Sequence, residues 1–391
     1  MTYNNTNDKT YKRKMKMIYL DYAATTPISV EVLDVYSQMA TTYFGNASSL
    51  HDMGMKSEQA LLLCREKLAN VINGQSERVY FTSGGSEANH LAIRSLIKGN
   101  KAKGNHIITT EVEHDSLYEL FKQLEKEGYD VTFLKVDQHG QIHLEELKRS
   151  IRNDTILASI QHANSETGVI QPIKEIGELL QEKNVIFHTD AVQTFTKIPI
   201  DIESCQIDSL SMASHKIYGP KGIGACYIRP NVRWEPVQEG ATHESGFRMG
   251  TVDTPGVVAF TTAAEINERI TSEEYERMQR LRDFFIEKAT TLIKGIRIEG
   301  HTSQQLPGII GITNDKVQGQ HIMLECNRYG IAISTGSACR VGETEPSRTM
   351  LAMGKTKDIA NGFVRLSLGK QTTKEELNQT IQVLHEIFTE L

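Results

Sequence analysis

The sequence predicts an α/β protein: a mostly parallel sheet of seven strands covered by helices, followed by a smaller α/β unit. Three observations predict it. Between residues 79 and 230, seven short β-rich runs alternate with helical patterns. After the Thr251–Pro255 turn the texture changes to a long charged helical pattern and only a few further strands. At 391 residues the chain is too long for one ordinary core and short for three, so two domains sharing an interface are expected.

Residues 1–16 carry Lys9, Lys12, Arg13, Lys14 and Lys16 among Asn and Thr. No apolar stretch follows them, so they read as a disordered tail and not as a secretory signal. Ile18-Tyr19-Leu20 is the first strand-like run. The alternation then runs Val79–Thr82 and Ser86–Lys98, His106–Thr109 and Ser116–Glu127, Val131–Val136 and Leu144–Ile151, Ile156–Ile160 and Ile173–Gln181. Val185–His188, Ser209–Ala213 and Gly224–Ile228 complete it. A helical pattern from about 256 to 294 follows, then strands near Ile309–Ile312 and Ile331–Ser334 and an amphipathic helix from Lys374. The expected large domain spans 27–260, with 17–26 and 261–391 forming the small one.

A net charge of −6 spread along the chain offers no basic face for nucleic acid. No apolar run reaches the roughly 18 to 20 residues of a membrane span. Five widely spaced cysteines without a CxxC pair argue against a disulfide framework or a zinc site and suit a reducing cytoplasm. Cys64, Cys205, Cys226 and Cys326 lie beside apolar residues and read as core thiols. Cys339 sits instead in a polar, Gly-containing stretch, about 334–348, that reads as an exposed loop.

Ser214-His215-Lys216 ends an apolar strand before the turn Ile217–Gly222, a setting that suits a Schiff-base lysine. Phe81–Asn89 passes from a strand through Gly84 and Gly85 into a helix whose first N–H groups can cradle an anion. Its spacing is that of neither a dinucleotide fingerprint nor a P-loop. Asp190 closes the run 184–190, where a carboxylate can hold a proton on a pyridine-type ring nitrogen, with Gln193 just beyond. His114 follows another strand and could stack on a flat cofactor. Taken singly, each of these also fits a strand end, a capped helix or a solvated turn.

Together with Leu20–Pro27, Tyr43–Asn46, Arg248–Thr251, Gly336–Cys339 and Val364–Gly369, these segments stand in the order and spacing of the cysteine desulfurases. From about residue 17 to its end the chain resembles the NifS/IscS-type members. That resemblance implies a fold type I, pyridoxal-phosphate-dependent class V aminotransferase homodimer, acting as a sulfurtransferase. It implies that Lys216 anchors the cofactor and moves the Cα proton of L-cysteine, that Asp190 meets the pyridine nitrogen and Gln193 the phenolic oxygen, and that His114 stacks on the ring. Gly85, Ser86, Ser214 and His215, with Thr251 from the partner subunit, would hold the phosphate. Arg365 would clamp the substrate carboxylate, with Asn164 and Asn46 also at the substrate. Cys339 would be the nucleophile, its thiolate favoured by Arg340, taking up sulfur as a persulfide and releasing alanine. An acceptor protein, such as an iron–sulfur scaffold or a thiolation protein, would then receive the sulfur.

Three departures bear on these roles. Asn164-Ser165-Glu166 has a serine where the family usually shows a second asparagine. Ala213 replaces a phosphate-side serine, and Ser214 fills a glycine position. The turn Glu239–Glu244 and Arg340 also differ from the usual residues. A selenocysteine lyase or another class V aminotransferase would need Lys216 but not Cys339, and a silent cofactor-binding protein serving as an interaction partner would have no reason to keep both.

Overall fold

The computed structural model describes residues 17–336 and 346–389. The tail expected at 1–16 and Cys339 with most of its loop lie outside the described residues. In chain order the first elements are β1 (Ile18–Tyr19), α1 (Val30–Thr42), α2 (Asp52–Val71), β2 (Val79–Thr82), α3 (Gly85–Asn100), β3 (His106–Thr110), α4 (Asp115–Lys126) and β4 (Asp130–Leu134). α5 (Leu144–Ser150), β5 (Thr155–Ser159), α6 (Ile173–Glu182), β6 (Ile186–Asp190), β7 (Ser209–Ala213) and β8 (Gly224–Ile228) complete the first unit. α7 (Thr254–Arg269) and α8 (Thr271–Leu292) lead to β9 (Arg297–Glu299), β10 (Ile309–Thr313), α9 (Gly319–Arg328) and β11 (Ile331–Ala332). α10 (Arg348–Ala352), α11 (Lys357–Asn361), β12 (Val364–Ser367) and α12 (Lys374–Thr389) follow.

Every residue of β3, β5, β6, β7 and β8 is buried, because helices cover both faces of their sheet. Alternation along each strand divides the side chains between two cores. Ile107, Ile186 and Tyr80 pack with α3 and α4, while Ile108, Phe187 and Phe81 pack with α2, α6 and α7. The strand order is β2-β8-β7-β6-β5-β3-β4. β8 runs antiparallel to both β2 and β7. Two reversals restore direction, so β2 ends on the same edge as β7, β6, β5 and β3. In open α/β sheets that carboxyl edge is where ligands bind.

A further core gathers Ile18 and Leu20 with α8, α9, α12 and the antiparallel sheet β12-β10-β9. The start of the chain is tied in through the parallel pair β1–β11. Met350, Met353 and Phe363, although late in the sequence, pack into the core that contains α2, α6 and α7.

The single helix expected over 256–294 is two helices. Ile270 leaves helical geometry at φ −113° and ψ 7°. The Thr271 hydroxyl donates to Asn267 O at 2.9 Å and to Thr196 O at 3.1 Å, tying the break to the chain below it. Cys64, Cys226 and Cys326 are buried as expected, but Cys205 is only half-buried. Burial still pushes its thiol above the ordinary value.

Candidate active site

Five strand ends meet at the carboxyl edge. Lys216 lies in a short 3-10 turn, Ser214–Lys216, directly after β7. Its Nζ donates to Ala24 O at 2.9 Å and also to Ala23 O, so the Leu20–Pro27 segment steers the amine. Asp190 ends β6 and is buried. Its Oδ1 accepts Val192 N at 2.9 Å and its Oδ2 accepts Asn89 Nδ2 at 2.8 Å. Asn89 touches His188 Nε2 through its own Oδ1 at 3.4 Å, which fixes the amide orientation behind the carboxylate.

His114 is the N-cap of α4, and its Nδ1 accepts Ser116 N at 3.1 Å. A neutral ring in this arrangement carries its proton on Nε2. On the same edge β2 runs into the N-terminus of α3, where no side chain caps the free N–H groups. A Cβ on Gly85 would approach Val192 Cγ2 to 2.6 Å, so the close approach requires glycine. Glu87 closes this turn by accepting Ser83 N at 2.5 Å and pairing with Arg248 at 2.8 Å.

Lys216, Asp190, Gln193, His114, Gly85, Ser86 and His215 line one cleft of about 160 Å³. Asn89, Ser116 and Gln161, which sequence reasoning did not single out, also line it, as does Ser165 at the position where the family usually shows a second asparagine. Asn89 had one available signal, since it stands three residues after Ser86 on the same helix face. Burial, reinforced by the charges of Lys216 and Lys221, lowers His215 to about 4. It therefore offers an anion a neutral N–H near neutral pH.

Arg365 on β12 is buried beside this cleft. Its Nη1 donates to Ser165 O at 2.9 Å and its Nη2 to Asp21 Oδ1 at 2.7 Å, while Nε has no partner among the described residues. The structure does not bring four other expected residues to the cleft. The Ser214 hydroxyl faces Gly219, where a Cβ would come within 2.1 Å of it. Asn164 accepts Glu166 N and Thr167 N with Oδ1, both at 2.9 Å, and donates to Val112 O at 3.1 Å, so it holds a turn together. Asn46 and Thr251 are exposed. Cys339 is outside the described residues.

Glu113, next to His114, is fully buried. Its Oε1 accepts Thr110 Oγ1 at 2.8 Å and Gln161 N at 2.9 Å, while Oε2 has no partner among the described residues. Burial pushes its carboxyl up to about 8, with the charge of Asp190 adding to the rise. The folded protein thus binds a proton that the unfolded chain releases near the ordinary value of 4.5. Stability should fall as pH rises through that window, by about 1 kcal/mol per pH unit from this group. Urea denaturation of Glu113→Gln should show a flatter pH dependence than the wild type; equal slopes would contradict a protonated Glu113.

The residues present fit a phosphorylated pyridine aldehyde. They combine an amine, a buried carboxylate and an imidazole lining one cleft with an uncapped helix start whose glycine backbone suits a phosphate.

The family model described as class-V aminotransferase matches residues 18–380. A NifS protein of Bacillus subtilis is 50% identical over 367 residues, covering 93% of each chain. The cysteine desulfurase IscS of Dictyoglomus turgidum is 40% identical over 374 residues, covering 96% of this chain and 95% of its own. Among solved structures, a NifS-like protein superposes with a TM-score of 0.90 at 32% identity, covering 96% of this chain and 100% of that one.

Proposed function

Because this chain belongs to the class-V aminotransferase family, as a cysteine desulfurase of the NifS and IscS kind, we propose that it takes sulfur from L-cysteine in the cleft at Lys216 and passes it to Cys339. The observation that carries this reading is the meeting of Lys216, Asp190, His114 and the start of α3 around one cleft. Bound there, pyridoxal phosphate supplies an electron sink for bond breaking at the amino acid's α-carbon.

The chain's own residues supply the rest. Asp190, oriented by Asn89, is the carboxylate for the ring nitrogen. Gln193 offers its Nε2–H to the phenolic oxygen, and His114 covers the ring. Gly85 and Ser86 present backbone N–H groups to the phosphate, and His215 adds a neutral N–H. Lys216 Nζ is the anchoring amine and the base that moves the Cα proton. Cys339 thiolate attacks the substrate sulfur, an S–S bond forms and the C–S bond breaks. The bonding pair stays with the carbon skeleton, which takes up a proton and leaves as alanine.

Arg365 gives a planar fork for the substrate carboxylate, which would take the place of Asp21 on the guanidinium. Arg365→Lys is expected to raise KM for L-cysteine by about 10- to 100-fold while cofactor absorbance stays. An unchanged KM would remove Arg365 from the substrate site.

The functional unit is a homodimer on this reading. Val30, Leu33, Met55, Leu62 and Leu63 on α1 and α2 are exposed, as are Phe44 and Leu50 between them, Leu50 at 96%. Met249, beside Thr251, is exposed too. Apolar exposure concentrated on these two helices and the chain between them supports an interface with a second copy. A second copy seated there would bring its own Thr251 towards the cradle, which accounts for the exposure of Thr251 in one chain. A protein acceptor would collect the sulfur from Cys339. Among the described residues no helix is long and apolar enough to cross a membrane. The free thiols of Cys64, Cys205, Cys226 and Cys326 support a reducing, cytoplasmic setting. The test of the function is equal release of alanine and sulfide from L-cysteine under excess reductant, and amino transfer without sulfide would refute it.

A further inference from the structure

Gln193 connects two lysines. Its Nε2 donates to Ala23 O at 3.0 Å, and its Oε1 accepts from Lys197 Nζ at 3.4 Å. Ala23 O also receives Lys216 Nζ, so the run Lys197, Gln193, Ala23, Lys216 is continuous. A carbonyl oxygen can only accept, which forces the NH2 end of Gln193 toward Ala23 and Lys216. Its carbonyl end is left for Lys197. The pair spans one turn of chain, residues 193 to 197, that follows the strand end bearing Asp190.

Lys197 also borders a second cavity of about 90 Å³, lying where α8 and the β10 and β12 strand ends meet the Lys216 turn. Lys216 lines both this cavity and the cofactor cleft. The ionisable groups around Lys197 are Lys216 and His215 on the turn after β7, Arg365 with Asp21, and, across the cavity, Tyr22, Tyr218, Glu274, Tyr275 and Lys370. The two carboxylates in that set are engaged elsewhere: Asp21 pairs with Arg365 at 2.7 Å and Glu274 with Arg277 at 2.8 Å. Burial, with the charges of Lys216 and Arg365, brings Lys197 down to about 7.

We propose that Lys197 is a positioning residue for the Lys216 site: its Nζ–H, donated to Gln193 Oε1, joins Ala23 O in holding the NH2 end of that amide toward the cofactor's phenolic oxygen, and while Lys197 is protonated its charge opposes a second positive charge at the nitrogen of Lys216. The proposal rests on the reading of Lys216 as the anchoring lysine. Both effects act in one direction. A donor held on the phenolic oxygen and a like charge nearby each disfavour protonation at the Lys216 nitrogen.

The test is a pH titration of visible absorption in the holoenzyme loaded with pyridoxal phosphate, for wild type, Lys197→Met, Lys197→Arg and Lys197→Gln. The Met variant should move the midpoint upward by about one pH unit, and Arg should restore it towards the wild-type value. Gln, equally uncharged but polar, should also move it upward and carries the test if the Met variant does not fold. A bound chromophore with an unmoved midpoint in the uncharged variants overturns the proposal alone. So does an Arg variant displaced as far as Met, which would reduce Lys197 to packing. A wild type that takes up no cofactor overturns the functional reading and this proposal with it.

Discussion

Replacing Lys216 with alanine is expected to stop alanine release from L-cysteine, a loss of at least about a thousandfold. The size follows from the geometry. Lys216 is the amine of the cleft that stands at a strand end, held by two backbone carbonyls of the Leu20–Pro27 segment. One side chain thus both anchors the cofactor and moves the Cα proton, so its removal takes away two contributions together. The loss should be specific to chemistry. Asp190 keeps Asn89 and Val192 N, and α3 keeps its free N–H groups, so the variant should still bind the cofactor non-covalently. Rapid assay of alanine, with absorbance before and after dialysis, reads both effects. Turnover within tenfold of wild type, or a cofactor that still resists dialysis, would contradict the role.

Replacing Cys339 with alanine should abolish sulfide release just as completely while leaving cofactor absorbance untouched. The thiolate accepts the sulfur atom, and none of the four described cysteines can take its place. Cys226 and Cys326 are buried, and burial pushes each thiol up to about 12. Cys64 is buried and also raised, and half-buried Cys205 lies outside the residues that line the cleft. A thiol that stays protonated is a poor nucleophile. This variant also separates readings that share Lys216, because a lyase or an aminotransferase would keep turning over without Cys339.

Much of the sheet was legible in the sequence. The inner strands β3, β5, β6, β7 and β8 are buried along their whole length and read as short β-rich runs, with the helices between them showing their own period. Lys216, Asp190 and His114 could be singled out because each follows such a run, and strand ends on one edge converge. What escaped notice depends on side-chain direction and on contacts distant in sequence. Asn89 matters through Asp190, a partner 101 residues away. Ser214 and Asn164 sit in the right segments, but one hydroxyl turns to Gly219 and the other amide is consumed by its own turn. The break at Ile270 is accompanied by a bond between Thr271 and Thr196, a contact 75 residues apart that no local pattern records. Asn46 and Thr251 are exposed in the single chain, so their expected roles depend on the homodimer proposed above.

The central claim is that sulfur from L-cysteine comes to rest on Cys339. Mass spectrometry of the intact protein, and then of its peptides, after a brief exposure to L-cysteine without reductant tests it most directly. The account predicts one added sulfur atom, confined to the peptide that carries Cys339 and lost on treatment with a thiol. Alanine released with no sulfur on that peptide, or with sulfur carried by another cysteine, would contradict it.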